Sequence, residues 1–119
     1  MKAVLIDAKN KQVIPVKIAG DLASIYLAME VDTIEIGFSD YVTGETMYVD
    51  EEGRINGTTY GFIFAGTRFV GNGLFLGTDV YGENQDSKVS PEALAQQVQF
   101  IDIDPEEEQK NLSFTILSV

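Results

Sequence analysis

Apolar and polar positions alternate with a period of two along much of this chain and shift to a helical period in one early segment. Lys2 to Asp7 reads as a short β-strand, and the polar turn Lys9-Asn10-Lys11 leads into a second strand, Gln12 to Ile18. Pro15 lacks the N–H that a strand ladder needs, which predicts an edge position or a bulge. Gly20-Asp21 then offers a helix N-cap, and Leu22, Ile25, Tyr26 and Met29 follow at i, i+3, i+4 and i+7, on one helical face. Ile34, Ile36 and Phe38 alternate as a half-buried strand, Thr43-Gly44 turns the chain, and Glu45 to Asp50 forms another strand ending at Glu51-Glu52-Gly53. Strands are predicted at Tyr60 to Ala65 and Leu74 to Asp79, with Gly66 to Gly73 as the loop between them. Tyr60, Phe62 and Phe64 then share one core-facing side.

Ser90 and Pro91 open a second helix as N-cap and first helical residue, with Leu94 and Val98 on its buried face. Two extended segments close the chain, Phe100 to Ile103 and Leu112 to Val119, separated by Asp104-Pro105 and Glu106 to Glu108. The connections are too short for repeated parallel crossovers. The pattern therefore predicts an α+β fold: six to eight mostly antiparallel strands and two short helices in a single domain, residues 1–119.

Composition changes this picture chiefly through charge. Nineteen acidic residues against eight basic ones give a formal charge of −11. The acids are concentrated in two stretches, Glu30 to Glu52 and Asp79 to Glu108, beside a mildly basic N-terminus holding Lys2, Lys9, Lys11 and Lys17. Phosphate backbones are repelled by such a chain, so direct nucleic-acid binding is not expected, whereas a basic protein is a fitting partner. No run of apolar residues is long enough for a membrane span, no export signal is legible, and no cysteine is present, so the expected compartment is the cytoplasm.

The absence of both His and Cys removes imidazole bases, thiolate nucleophiles and the usual zinc ligands. Carboxylate, hydroxyl, amine and hard-metal chemistry remain. Asp102 and Asp104, two apart on a strand, would face the same side with Glu106 to Glu108 close behind, but the spacing matches no calcium loop and neither a metal nor a cofactor is assigned. Gly71-Asn72-Gly73 with Gly77 superficially matches a phosphate-binding glycine loop, yet a strand follows where the dinucleotide fingerprint needs a helix. A tight turn at Asn72-Gly73 and a close backbone approach at Gly77 are the simpler reading.

Several of these segments look familiar. Lys2-Ala3-Val4-Leu5-Ile6-Asp7, Gly20-Asp21-Leu22 to Ile25-Tyr26, Tyr48-Val49-Asp50-Glu51-Glu52-Gly53, and Gly71-Asn72-Gly73-Leu74 through Leu76-Gly77-Thr78-Asp79 are the first of them. Gly82-Glu83, Ser90-Pro91-Glu92-Ala93-Leu94 and Phe100-Ile101 continue the pattern. Together they resemble the small acidic family catalogued as domain of unknown function 3846, found in bacteria, phages and plasmids. Asp104 to Val119 departs from that pattern. The resemblance implies an accessory protein of a mobile element and supplies no catalytic residue.

Two functional expectations follow. In the first, a non-enzymatic acidic surface formed by Asp50, Glu51 and Glu52 with Asp102, Asp104, Glu106, Glu107 and Glu108 engages a basic host protein, mimicking nucleic-acid charge. In the second, the glycine-rich aromatic centre holds a small ligand or nucleotide, or supports a carboxylate- or metal-dependent reaction, through Asn72, Thr78, Asp79 and Tyr81.

Overall fold

A computed structural model describes residues 1–108, and the expected strand Leu112 to Val119 lies outside the described residues. The chain is α+β, with every strand pairing among the described residues antiparallel. The strands are β1 (Lys2–Asp7), β2 (Gln12–Lys17), β3 (Ile34–Asp40), β4 (Glu45–Asp50), β5 (Tyr60–Phe64), β6 (Thr67–Val70), β7 (Gly73–Thr78), β8 (Asn84–Gln85) and β9 (Gln99–Asp102). Helix α1 spans Leu22–Met29 and α2 spans Pro91–Gln97, and a further helical turn covers 105–108.

One sheet has the order β2-β1-β7-β4-β3 with β8 added to β7, and a second has the order β6-β5-β9. Pro15 sits on β2, the edge strand, where its missing N–H leaves no ladder bond unmade. Because β1, β4 and β7 occupy the interior of the large sheet, both of their faces are covered. Ala3 and Leu5 of β1 with Leu74 and Leu76 of β7 meet Ile25 and Met29 of α1 on one face. Val4, Ile6, Met47, Val49 and Phe75 meet Phe62, Phe64 and Leu94 on the other, so the small sheet and α2 form the third layer. Full burial of each such side chain contributes about 1.5–3 kcal/mol, and these two faces dominate the cohesion of the fold.

Both helices begin as their sequences dictate. The Asp21 carboxylate accepts the Ser24 N–H at 2.9 Å, and the Ser90 hydroxyl accepts the Ala93 N–H at 3.2 Å with Pro91 in the first turn. The periodic face of α1 is only partly buried, since Leu22 at its first turn stays exposed.

The expected loop from Gly66 to Gly73 is corrected by β6, which fills half of it. Ala65 and Gly66 both adopt positive φ, 51° and 75°, as the two central residues of a tight hairpin turn, and so return the chain directly alongside β5. Gly73 likewise belongs to β7 rather than to a turn. At Gly77 the expected close approach is present, since a Cβ there would stand 2.5 Å from the Asp86 carbonyl oxygen. No helix among the described residues is long and apolar enough to cross a membrane.

Candidate functional site

Strand directions give the large sheet two ends of different character. Strands β1 and β4 finish, and β7 begins, at an acidic end. There Asp50 closes β4 and its carboxylate accepts the Glu52 N–H at 2.9 Å. Burial pushes the Asp50 carboxyl above the usual range, the Glu52 N–H opposes that shift, and the charges of Glu52 and Asp32 add to it. The chain then turns through Arg54 and returns along β5, and β9 brings the other acidic segment to the same place. The Ile103 N–H donates to the Thr59 carbonyl at 3.0 Å, and Arg54 Nε donates to Glu108 Oε1 at 3.0 Å. The 54–59 segment, which follows Glu51-Glu52, is thus tied to the 103–108 segment at this end, while Asp40, Glu45 and Asp79 of the same acidic stretches lie at the other end.

Their side chains do not all face outward. Glu108 is 2% exposed and lies between Arg54 and Arg68, whose Nη1 donates to its two oxygens at 2.7 and 2.9 Å. Bonding to Arg68 holds the Glu108 carboxyl below its ordinary range against the opposing effect of burial, with Arg54 assisting. Glu108 is therefore an internal clasp between the 105–108 turn and the small sheet, not part of an acidic surface. Asp102 and Asp104 also do not share a strand face, because β9 ends at Asp102 and Asp104 instead starts the helical turn. The Asp104 carboxylate accepts the N–H groups of Glu106 and Glu107 at 3.1 and 3.4 Å. Glu51, Asp102, Asp104, Glu106 and Glu107 are exposed. Of the chain's 19 acidic side chains, only Glu108 is ion-paired among the described residues.

The N-terminal lysines do not gather into one patch. Lys2 faces Lys17 across β1 and β2 at one end, while Lys9 and Lys11 flank the turn at the other.

At the opposite end, the β3–β4 and β7–β8 turns lie side by side, joined by the Thr78 N–H donating to the Gly44 carbonyl at 2.6 Å. Gly44 has φ 77°, and a Cβ there would stand 2.8 Å from the Thr78 carbonyl oxygen, so both backbone conformation and proximity select glycine. Each turn is fixed by an aspartate. Asp40 Oδ1 accepts the Val42 and Thr43 N–H groups at 2.9 and 3.2 Å, and Asp79 Oδ1 accepts those of Tyr81 and Glu83 at 2.9 and 3.0 Å. The tips carry four large apolar side chains almost wholly in water: Tyr41 and Val42 at 97% exposure, Val80 at 93% and Tyr81 at 87%.

Two clefts flank the β3–β4 turn. One, of about 600 Å³, opens between that turn and α2 and has Phe38, Phe64, Phe75 and Leu94 among its lining. The three rings pack edge to face or tilted, with centroids 5.1 to 6.3 Å apart, and form an apolar floor. The Glu45 carboxylate, 6% exposed, anchors the segment leading into α2: the Ser87 hydroxyl donates to Oε1 and the Lys88 N–H donates to Oε2 at 3.1 Å. The second cleft, of about 640 Å³, lies between the two turns and is lined by Thr78 and Asp79.

The ligand residues expected from the sequence fall at both ends. Asn72 is buried at the acidic end, where Oδ1 accepts the Ala8 N–H at 2.8 Å and the Lys9 N–H at 3.4 Å, clamping the β1–β2 turn. Thr78, Asp79 and Tyr81 lie at the other end of β7, so the four do not form one site. The hydroxyl oxygens of Thr78 and Thr46 are 3.1 Å apart. The aromatic centre itself is core, with Phe62 stacked on Phe69 at 5.2 Å.

Sequence reasoning missed the first cleft because Phe38, Glu45, Lys88 and Leu94 converge only through tertiary structure. Among the described residues, no group of three or more acidic side chains is placed to hold a metal ion. Comparison with family models, curated proteins and solved structures found no match.

Proposed function

We propose that this protein is a non-enzymatic binding module whose acidic end docks a basic protein, presenting carboxylates where that protein ordinarily meets phosphates. The observation that carries the reading is the lack of ion-pair partners, among the described residues, for every acidic side chain but Glu108. Uncompensated surface charge of one sign steers an oppositely charged partner and raises its association rate. Asp50, Glu51 and Glu52 lie at the same end as Asp102, Asp104, Glu106 and Glu107, joined through the Arg54–Glu108 bond, while the basic residues there are Lys9, Lys11 and the Glu108-bound Arg54 and Arg68. Division of the N-terminal lysines between the two ends leaves, among the described residues, no basic stripe for a nucleic-acid backbone. Together with the family resemblance, this supports the reading of a cytoplasmic accessory factor of a phage or plasmid that acts on a basic DNA-handling host protein.

Titration with an oligo-arginine peptide at increasing salt tests the reading. Binding is expected to weaken steeply with ionic strength, and Glu51→Gln/Glu52→Gln combined with Glu106→Gln/Glu107→Gln is expected to weaken it further. Asp79→Asn/Glu83→Gln, at the other end, is expected to leave it unchanged. Affinity independent of salt, or equal sensitivity to both variants, contradicts the reading. Duplex DNA is expected to compete with the protein for a shared basic partner and not to bind the protein itself.

A further inference from the structure

We infer that the cleft between the β3–β4 turn and α2 is a second binding site, independent of the acidic end, for a small zwitterionic molecule with an apolar body: a free aromatic or branched aliphatic amino acid. Its floor is Phe38, Phe64 and Phe75, and its volume of about 600 Å³ lies in the range of small-molecule sites. Val42 lines this cleft yet is 97% exposed, and Phe38 is only half-buried, so an apolar body seated there removes both from water against the already buried Phe64 and Phe75.

The polar groups set the class of ligand. Both Glu45 oxygens are already engaged by Ser87 and Lys88, which leaves that carboxylate a structural role. Asp40 gives only Oδ1 to its turn, and no described residue bonds to Oδ2. Lys88 also lines the cleft, and no described residue pairs with its ammonium group. One carboxylate oxygen and one ammonium beside an apolar floor complement a ligand that carries both an ammonium and a carboxylate on an apolar body. A ligand bearing a single charge satisfies only one of them, and the other keeps its charge without a partner.

Calorimetric and amide-shift titrations of the full chain, with no basic partner present, test this. The probes are L-phenylalanine, L-leucine, phenethylamine, 3-phenylpropanoate and N-acetyl-phenylalanine amide. L-phenylalanine or L-leucine is expected to bind with shifts at 38–45 and 88–97, and loss of either charge is expected to cost about tenfold in affinity, as in the first two analogues. The amide, which has the side chain and neither charge, is expected to bind more weakly still. Asp40→Asn should remove the advantage of L-phenylalanine over 3-phenylpropanoate. Ala93→Trp, on the exposed surface of α2 where it lines the cleft, should abolish binding without unfolding the protein. Absence of binding by both amino acids, equal binding of the charge-deleted analogues or the amide, or full binding by a folded Ala93→Trp variant overturns the inference. None of these outcomes touches the acidic end, whose test uses a different probe and different variants.

Discussion

At both ends of the large sheet an aspartate fixes a turn by accepting backbone N–H groups from residues just ahead of it: Asp50 and Asp104 at the acidic end, Asp40 and Asp79 at the cleft end. The residues that follow differ completely. Glu51-Glu52 and Glu106-Glu107 follow at one end, Tyr41-Val42 and Val80-Tyr81 at the other. Turn geometry is thus set by one residue and the side chains around the tips are free to define a surface. Beneath the tips the ends diverge again. The acidic end closes over an internal Glu108 clasp, whereas the cleft end leaves open space above an aromatic floor.

The largest effect should come from breaking that floor. Phe64→Ala removes a ring that touches both the cleft and the core, and a loss of about 3–5 kcal/mol is expected in urea unfolding. A loss below about 1 kcal/mol would show that the rings are loosely packed.

Glu45→Ala acts on the same end by a different route. It strands the Lys88 N–H and releases the segment before α2, at a cost of about 1–3 kcal/mol. Hydrogen exchange should accelerate at 87–90 and remain unchanged at 50–54; equal acceleration at both would mean that the ends are not independent.

At the acidic end, Glu108→Gln should cost about 1 kcal/mol at neutral pH, because the two arginines remain partly exposed. The sign of its pH dependence follows from the lowered Glu108 carboxyl. The stabilisation is fully present above the ordinary unfolded-state carboxyl value and is lost as pH falls through the lower folded value. Wild type and variant should therefore converge in acid. Asp50 runs the other way: its raised carboxyl destabilises the fold at neutral pH, and protonation relieves the penalty as pH falls through the raised value. Asp50→Asn keeps an oxygen for the Glu52 N–H and should stabilise the protein more at neutral than at acid pH. Melting temperatures measured across pH check both signs.

The smallest effect sharpens the separation of turn from tip. Tyr41→Glu/Val42→Glu leaves Asp40 in place and replaces side chains that lie in water, so stability should change by no more than about 0.5 kcal/mol per site. A larger loss would mean that the tip side chains help to hold the turn.

How much of this was legible in the sequence depended on distance along the chain. The strand Glu45–Asp50 was found with its observed bounds, the caps at Asp21 and Ser90 follow from local hydrogen bonding, and Pro15 marked the edge strand. Strand β6 was missed because its turn places Ala65, a residue with no preference for positive φ, where Asn or Gly is the usual signal. Strand β8 has two residues and exists only through its pairing with β7. The acidic segments were visible as composition, but nothing local distinguished Glu108, which turns inward, from Glu106 and Glu107, which do not. The cleft was invisible for the same reason, since Glu45 and Lys88 are brought together across 43 positions.

The central claim is that the acidic end and the cleft end are separate surfaces with separate chemistries. Amide chemical-shift mapping of the protein with an oligo-arginine peptide, at low and at high salt, tests it most directly. Shifts confined to 50–52 and 102–107 that vanish at high salt are the result predicted. Shifts centred on 40–45 and 78–83, or shifts that persist unchanged at high salt, would contradict it.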